Sequence, residues 1–201
     1  MIAIIDYDAG NVKSVEKALE FLGAEAVLTR DPKVLLNADK VILPGVGAFG
    51  DAMKRLEEYG LIPIISQIVE KKTPFLGICL GLQLLFDASE ESPGVQGLGL
   101  LHGTIRRIPD APGLTIPQIG WNNLSYPNPG RLFQGIPEGS FVYFVHSYYL
   151  DAEDKSIVTA TTPYGVTVEA SVEKENLFAC QFHPEKSSDT GMQILRNFLA
   201  L

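Results

Sequence analysis

The first half of the chain alternates short apolar runs with stretches in which apolar residues recur at helical spacing. The apolar runs predict buried strands at residues 2–5, 25–28, 41–43 and 75–78. Helical spacing predicts helices after Asn11 as N-cap, after Asp31-Pro32, and over residues 61–69, with Gly23 ending the first. Strands that alternate with helices in this way build βαβ units around a buried parallel sheet, so the sequence predicts an α/β fold.

The second half has a different pattern, with nine of the thirteen prolines from Pro93 onward. It predicts strands without long helices between them, at residues 104–108, 122–125, 141–145, 157–161, 167–172 and 177–182. This pattern favours an antiparallel or mixed extension of the sheet. A last helix is predicted over residues 190–199. We find no linker and no repeat, so we expect one domain over residues 1–201.

Composition narrows the classes of partner. The net charge is −8 and Lys and Arg form no cluster, which disfavours nucleic acid and anionic membranes as partners. Two cysteines, Cys79 and Cys180, make no disulfide framework, and no apolar stretch approaches the length of a membrane span. The N-terminus resembles a first strand rather than a signal peptide. We therefore expect a cytoplasmic protein. The His and Cys residues are scattered without the spacing of metal ligands, so we expect no metal site. We also expect no cofactor.

The segment from Pro74 to Phe86 contains the clearest chemical signal. An apolar run leads into Gly-Ile-Cys-Leu-Gly at 77–81 and then into a helical pattern, which is the layout of a nucleophile elbow with Cys79 in place of serine. Such a turn places the sulfur at the N-terminus of the following helix, which favours a reactive thiolate, and aims the Leu80 N–H at an oxyanion. The alternative is a cysteine that is only a small buried apolar residue.

A nucleophilic thiol needs a base, and the base needs an orienting group. Of the three histidines, His183 follows a predicted strand and is part of His183-Pro184-Glu185. In extended backbone, residues i and i+2 point to the same side, so Glu185 can reach the imidazole. Sites in α/β sheets form at the carboxyl ends of strands, where both Cys79 and His183 are expected. The alternative is a surface turn with a solvated glutamate; Cys180, inside an apolar strand, is expected to be core.

A glycine-rich stretch follows the third predicted strand, with the sequence Pro-Gly-Val-Gly-Ala-Phe-Gly-Asp at 44–51. Its backbone N–H groups can bind an anion, and it lacks the Lys-Ser/Thr ending of a phosphate-binding P-loop. We therefore predict an oxyanion loop that complements the Leu80 N–H. The alternative is a flexible turn between a strand and a helix.

These motifs together resemble a known family. The elbow at 77–83 with His-Pro-Glu at 183–185 resembles the class I, triad-type glutamine amidotransferases. Stretches at 6–11, 44–53, 117–122 and 144–149 are similar to the glutaminase subunits of imidazole-glycerol-phosphate synthases, and the similarity runs from residue 2 to the last helix. Gln118 stands where many members carry histidine, a departure outside the triad.

The resemblance implies a flavodoxin-like, three-layer class I glutamine amidotransferase fold with a mostly parallel central sheet and a mixed or antiparallel C-terminal extension. It also implies hydrolysis of L-glutamine to glutamate and ammonia through a thioester, with ammonia passed to a (β/α)₈-barrel cyclase of histidine biosynthesis. The roles that it implies are as follows: Cys79, His183 and Glu185 form the triad; Gly47 and Leu80 form the oxyanion hole; Gln83, His146, Ser147 and Tyr148 bind substrate; Gln118, Trp121 and Asn122 face the cyclase.

Two other functions remain open from the sequence. The same fold can serve another amidotransferase or a related cysteine hydrolase that acts on peptide-like amides, although such a hydrolase does not require a Glu two residues beyond its His. It can also serve as a non-catalytic interaction module. That module predicts the loss of a triad residue, and Cys79, His183 and Glu185 are all present.

Overall fold

The computed structural model describes residues 1–10 and 12–201. The strands are β1 Ile2–Ile5, β2 Ala26–Thr29, β3 Lys40–Leu43, β4 Phe75–Ile78, β5 Ala88–Ser89, β6 Gly103–Arg107, β7 Gln118–Asn123, β8 Phe141–His146, β9 Tyr148–Ala152, β10 Val158–Tyr164, β11 Val166–Lys174 and β12 Leu177–Cys180. The α-helices are α1 Val12–Phe21, α2 Pro32–Leu36, α3 Phe49–Glu58, α4 Leu61–Glu70, α5 Leu80–Leu84 and α6 Ser188–Leu199. Within this part of the chain, no helix is long and apolar enough to cross a membrane.

The main sheet has the strand order β2-β1-β3-β4-β12-β11-β9-β6-β5, and β10 pairs with β11. Strands β2, β1, β3, β4 and β12 run parallel to one another. Strand β11 pairs antiparallel with β12, β10 and β9, and β9 pairs antiparallel with β6. The predicted α/β sheet with an antiparallel extension is thus confirmed.

Helices cover both faces of the sheet and make three layers. Along β1, Ala3 and Ile5 contribute to a core with α3, α4 and α5, whereas Ile2 and Ile4 contribute to a second core with α1 and α6. Both faces of this strand are apolar because both are buried, as expected for a parallel strand between helices.

Strands β7 and β8 pair antiparallel in a separate two-stranded ribbon. Val142 and Phe144 of β8 pack into the core that contains α6. The N–H of His183 donates to the Tyr143 carbonyl at 3.0 Å, and the Tyr143 N–H donates to Ser187 Oγ at 2.9 Å. These bonds place the ribbon beside the carboxyl end of β12.

The structure differs from the sequence prediction at several elements. Helix α3 and strands β5 and β9 were not predicted, and β7 begins at Gln118 rather than at residue 122. Helix α3 has Ala48 as N-cap, with no side-chain cap bond. Its first N–H groups instead donate to Glu91 Oε2 and Ser92 Oγ, each at 2.9 Å, so the capping groups come from a distant part of the chain. The predicted N-cap Asn11 lies outside the described residues.

Candidate active site

The turn after β4 has the geometry of a nucleophile elbow. Cys79 has φ 55° and ψ −109°, a conformation that costs an L-residue free energy and persists only where the surroundings enforce it. A Cβ on Gly77 would lie 2.7 Å from the Gly81 carbonyl oxygen, and one on Gly81 would lie 2.0 Å from the Leu43 carbonyl oxygen. Only glycine fits at both positions, so the two glycines are required by the turn itself.

The residues of the predicted triad come together at the carboxyl ends of two adjacent parallel strands. Ile78 of β4 is in register with Cys180 of β12, and the Cys79 N–H donates to the Cys180 carbonyl at 2.8 Å. Cys79 and His183 line the same pocket. This position at the ends of parallel strands is the one that the sequence predicted.

His183 and Glu185 form a buried ion pair. Nδ1 of His183 lies 2.7 Å from Oε1 of Glu185, and both side chains are almost fully buried. The predicted contact is present, but the predicted extended backbone is wrong: residues Pro184–Lys186 form a 3₁₀ turn. Ser187 Oγ donates to the His183 carbonyl at 2.6 Å and holds this turn in place.

The second ring nitrogen of His183 is available for the thiol. Nε2 is buried and makes no hydrogen bond within ordinary limits to the part of the chain that the structure describes. Burial by itself lowers the pKa of His183, but interactions with Cys79 and Glu185 outweigh it and raise that pKa above its usual value. Because Glu185 occupies Nδ1, Cys79 acts on the ring through Nε2. This favours an imidazolium beside a thiolate, the reactive pair of cysteine catalysis.

Cys180, the second cysteine of the chain, is a core residue and contrasts with Cys79. Its side chain is completely buried in the core that contains α6. Burial raises the pKa of its thiol, and the charges of Glu185 and Cys79 raise it further. The prediction that Cys180 is a core residue is confirmed.

The pocket in front of Cys79 has a volume of about 300 Å³. Eight of the residues predicted from the sequence line it: Gly47, Cys79, Leu80, Gln83, His146, Ser147, Tyr148 and His183. Val46, Glu91, Pro117 and Val145 complete the lining. Two of the three predicted triad residues, part of the glycine-rich loop and the predicted substrate-binding residues thus surround one cavity.

The predicted oxyanion hole is not open in this conformation. The Leu80 N–H donates to the Gly45 carbonyl oxygen at 3.3 Å, so a protein acceptor occupies the donor that the elbow supplies. Gly45 is closely packed, since a Cβ there would lie 2.5 Å from Tyr7 Oη and 2.9 Å from Leu80 Cβ. Gly47 has φ 96° and lines the pocket.

His146 is held by both ring nitrogens. Nδ1 lies 2.7 Å from the Tyr148 carbonyl oxygen, and Nε2 lies 2.7 Å from the side-chain amide of Gln118. Burial lowers the pKa of His146 to about 4, so the ring is neutral at pH 7. A neutral ring with both nitrogens occupied is not available for proton transfer. Gln118 is buried against this ring, so its side chain does not face outward as the resemblance implied.

Trp121 lies on the exposed face of the β7–β8 ribbon. Its side chain is 51% exposed, Ile119 on the same face is 62% exposed, and Phe141 on β8 is 55% exposed. Trp121 also packs edge-on against Tyr143, with ring centroids 6.0 Å apart. Asn122 is half-buried, and its side-chain amide donates to the Pro163 carbonyl at 2.8 Å. The ribbon therefore presents an apolar surface next to the pocket.

Two polar residues of the site were not found from the sequence. Glu91 lines the pocket while it accepts the Phe49 N–H at the start of α3. Gln181 is completely buried behind Cys79 and contacts both Gln83 and the sulfur. Gln181 directly precedes Phe182 and His183, so its position next to the triad was the available signal. Glu91 offered no such signal, because it lies in a loop that belongs to none of the recognised motifs.

Comparison with known proteins agrees with this geometry. The family described as glutamine amidotransferase class-I matches residues 3–201. An imidazole glycerol phosphate synthase subunit HisH from Thermosynechococcus vestitus is 54% identical and covers 100% of this chain and 96% of the relative. The HisH subunits from Moorella thermoacetica and Aquifex aeolicus are 52% and 50% identical over 98% and 97% of this chain, and 93% and 94% of those relatives.

Solved structures share the fold at lower identity. A crystal structure of a glutamine amidotransferase gives a TM-score of 0.77 at 22% identity and covers 100% of this chain and 98% of that one. The glutaminase domain of Trypanosoma brucei CTPS with bound acivicin gives 0.70 at 17% identity and covers 99% and 93%. With the full-length relatives, these similarities establish that the chain belongs to the class I glutamine amidotransferase family and, within it, to the HisH subunits of imidazole glycerol phosphate synthase.

Proposed function

We propose that this chain hydrolyses L-glutamine to glutamate and ammonia and delivers the ammonia to a cyclase subunit that makes imidazole glycerol phosphate and aminoimidazole carboxamide ribotide. The observation that carries the proposal is the buried His183–Glu185 pair beside Cys79, at the carboxyl ends of two parallel strands. Full-length relatives that all bear the HisH name favour this reaction over another amidotransferase or a peptide hydrolase.

The chemistry follows from the three side chains. The Cys79 thiolate attacks the side-chain amide carbon of glutamine and forms a tetrahedral intermediate. The His183 imidazolium gives its proton to the departing nitrogen, so ammonia leaves and a thioester remains. Neutral His183 then takes a proton from water as the water attacks the thioester, and glutamate leaves as the thiolate re-forms. Glu185 holds the ring in the required orientation throughout.

Stabilising the oxyanion requires a change in the loop at residues 44–47. The Gly45 carbonyl must leave the Leu80 N–H before that N–H can bind an oxyanion. Turning the Gly45–Val46 peptide over does this and also brings the Val46 N–H towards the pocket. We therefore assign the second donor to Val46 rather than to Gly47. Losing one such donor costs roughly 3–4 kcal/mol of transition-state stabilisation.

The opposite side of the pocket would bind the rest of the substrate. Gln83 uses its side-chain NH₂ for bonds to the Tyr148 carbonyl and to Gln181, which leaves its carbonyl oxygen to accept from glutamine. The Glu91 carboxylate would attract the substrate's ammonium group. Ser147 and Tyr148 complete this side of the cavity.

The apolar face of the β7–β8 ribbon would bind the (β/α)₈-barrel cyclase. Trp121, Ile119 and Phe141 are exposed, and exposed aromatic side chains are typical anchors of protein interfaces. Val145 of the same ribbon lines the pocket, so the surface is continuous with the place where ammonia forms. In this arrangement Asn122 flanks the anchor, and Gln118 acts from inside through His146. Both cysteines are free thiols, and we place the reaction in the cytoplasm.

The test is an ammonia-transfer assay with a candidate cyclase captured in a pull-down. Glutamine labelled with ¹⁵N in its side-chain amide is supplied together with excess unlabelled ammonium. We expect the label in imidazole glycerol phosphate. An unlabelled product, with all of the label released as free ammonium, would refute the transfer; no glutamine hydrolysis in the complex would refute the glutaminase assignment.

A further inference from the structure

Gln181 lies in an unusual place for a polar side chain. It follows the last residue of β12, its side chain is completely buried, and its backbone N–H donates to the Ala170 carbonyl at 2.8 Å. Its side-chain nitrogen lies 3.6 Å from Cys79 Sγ, and its side-chain oxygen lies 3.0 Å from Gln83 Nε2. One end of the Gln181 amide therefore contacts the sulfur of Cys79, and the other end contacts Gln83.

The orientation of this amide follows from a backbone carbonyl. The Tyr148 carbonyl oxygen can only accept, so the Gln83 atom 3.2 Å from it must be the NH₂ group. The same NH₂ faces Gln181, which must present its oxygen there. The opposite end of the Gln181 amide, the end that faces Cys79, is therefore its NH₂. A relay of hydrogen bonds thus runs from Tyr148 through both glutamines to the sulfur.

We propose that Gln181 donates a hydrogen bond to the Cys79 sulfur and stabilises the thiolate, with Gln83 fixing the donor's orientation. The inference rests on the proposed function of the site, since it assigns a further residue to its nucleophile. An N–H donor next to sulfur favours the negative form, because a thiolate is a much stronger acceptor than a thiol.

A competing contact makes this donor necessary. Cys79 Sγ also lies 3.9 Å from the Val145 carbonyl oxygen. This oxygen can only accept a hydrogen bond, so the contact stabilises the protonated thiol. The side-chain N–H of Gln181 lies closer to the sulfur and stabilises the thiolate. The titratable groups that influence or neighbour the sulfur are His183, Glu185 behind it, Tyr7, Cys180 and, around the pocket, Glu91, His146 and Tyr148; His146 is neutral over the pH range of the experiment below. Of these groups, only His183, as an imidazolium, carries a positive charge that stabilises the thiolate. A second group that stabilises the thiolate should therefore have a measurable effect on its formation.

The experiment measures the thiolate directly, without glutamine or the cyclase. Iodoacetamide modification of Cys79 is followed by mass spectrometry from pH 5 to 10 in the wild type and in Gln181→Met, which keeps the length of the side chain and removes the donor. We expect the midpoint of the profile to rise by about one pH unit and the rate at neutral pH to fall about tenfold. The plateau at high pH should change little, since the thiolate itself remains. Gln193→Met, on helix α6, is the matched control and should leave the profile unchanged.

A second variant keeps the test decisive if Gln181→Met folds poorly. Gln83→Leu leaves Gln181 in place but removes the group that orients it, so it should shift the profile in the same direction by a smaller amount. Circular dichroism and urea unfolding verify the fold of each variant. Unchanged profiles in folded Gln181→Met or in Gln83→Leu would overturn the proposal. A wild type that fails to hydrolyse glutamine but shows the expected shifts would refute the proposed function alone.

Discussion

The Leu80 N–H donates to the Gly45 carbonyl oxygen at 3.3 Å, so the oxyanion donor of the elbow is occupied in the isolated subunit. The predicted triad residues are in place, whereas the predicted oxyanion donor is occupied. Turning over one peptide, between Gly45 and Val46, separates this conformation from a competent one. The geometry therefore links glutamine hydrolysis to whatever stabilises the turned peptide, and the apolar ribbon beside the pocket is where a partner would act.

The first prediction concerns Val46. Turning the peptide rotates the φ angle of Val46 from its present range, outside the left-handed region, towards positive values. These cost an L-residue about 1–2 kcal/mol and glycine much less. The isolated wild-type subunit should thus be a weak glutaminase, and Val46→Gly should raise its kcat about tenfold. Steady-state glutaminase assays measure this. The same substitution should have little effect in the activated cyclase complex; an unchanged or lower basal rate in the variant would argue against the peptide rotation.

The two cysteines provide a matched pair for testing the nucleophile. Cys79→Ala should reduce glutamine turnover on the order of 10⁴-fold or more, because no other group can form the thioester. Cys180→Ala should retain turnover and lose only about 1–2 kcal/mol of stability through a small cavity. Glutamate production and urea unfolding separate the two effects. Residual turnover in Cys79→Ala well above this level would contradict the triad.

Acid sensitivity should depend on His146. Its folded pKa is about 4 and its unfolded pKa is about 6.5, so the unfolded state binds more protons between these values. The stability that neutral His146 contributes is present above pH 6.5 and is lost as pH falls through 4, by up to about 3 kcal/mol. Urea unfolding of His146→Gln from pH 4 to 8 should show a shallower fall in stability than the wild type. His102→Gln, at an exposed position, is the control and should keep the wild-type slope.

The apolar face of the β7–β8 ribbon predicts that substitution of Trp121 lowers the affinity for the cyclase. Trp121→Ala should weaken the complex with the cyclase by about 2 kcal/mol, or roughly 30-fold in Kd. Phe21→Ala is a suitable control, because Phe21 is an aromatic residue that is 75% exposed at the end of α1, outside the β7–β8 ribbon. Isothermal titration calorimetry measures both. Equal losses in the two variants, or none at Trp121, would place the interface elsewhere.

The sequence predicted those features that depend on residues close to one another along the chain. The elbow could be predicted because positions 77 and 81 accept only glycine: a larger side chain there would clash with the backbone of Gly81 or Leu43. His183 and Glu185 could be paired because they are two residues apart, although the connecting backbone forms a 3₁₀ turn rather than an extended segment. Buried parallel strands such as β1 and β4 are apolar on both faces and are therefore plain in the sequence.

Helix α3 shows why other elements were missed. Its capping groups, Glu91 and Ser92, are more than forty residues away in sequence. The position of Gln181 next to Cys79 likewise depends on the pairing of β12 with β4.

By itself, then, the sequence determined the α/β class, the elbow and the pairing of His183 with Glu185, because backbone sterics and strand periodicity act between near neighbours. Only the tertiary structure decided that the Gly45 carbonyl occupies the Leu80 N–H, that Gln181 faces the sulfur, and that Trp121 is exposed beside the pocket. Each of these depends on which segments meet when the sheet assembles. Hydrogen bonding and burial between remote segments are set by that assembly, and no local pattern of residues encodes them.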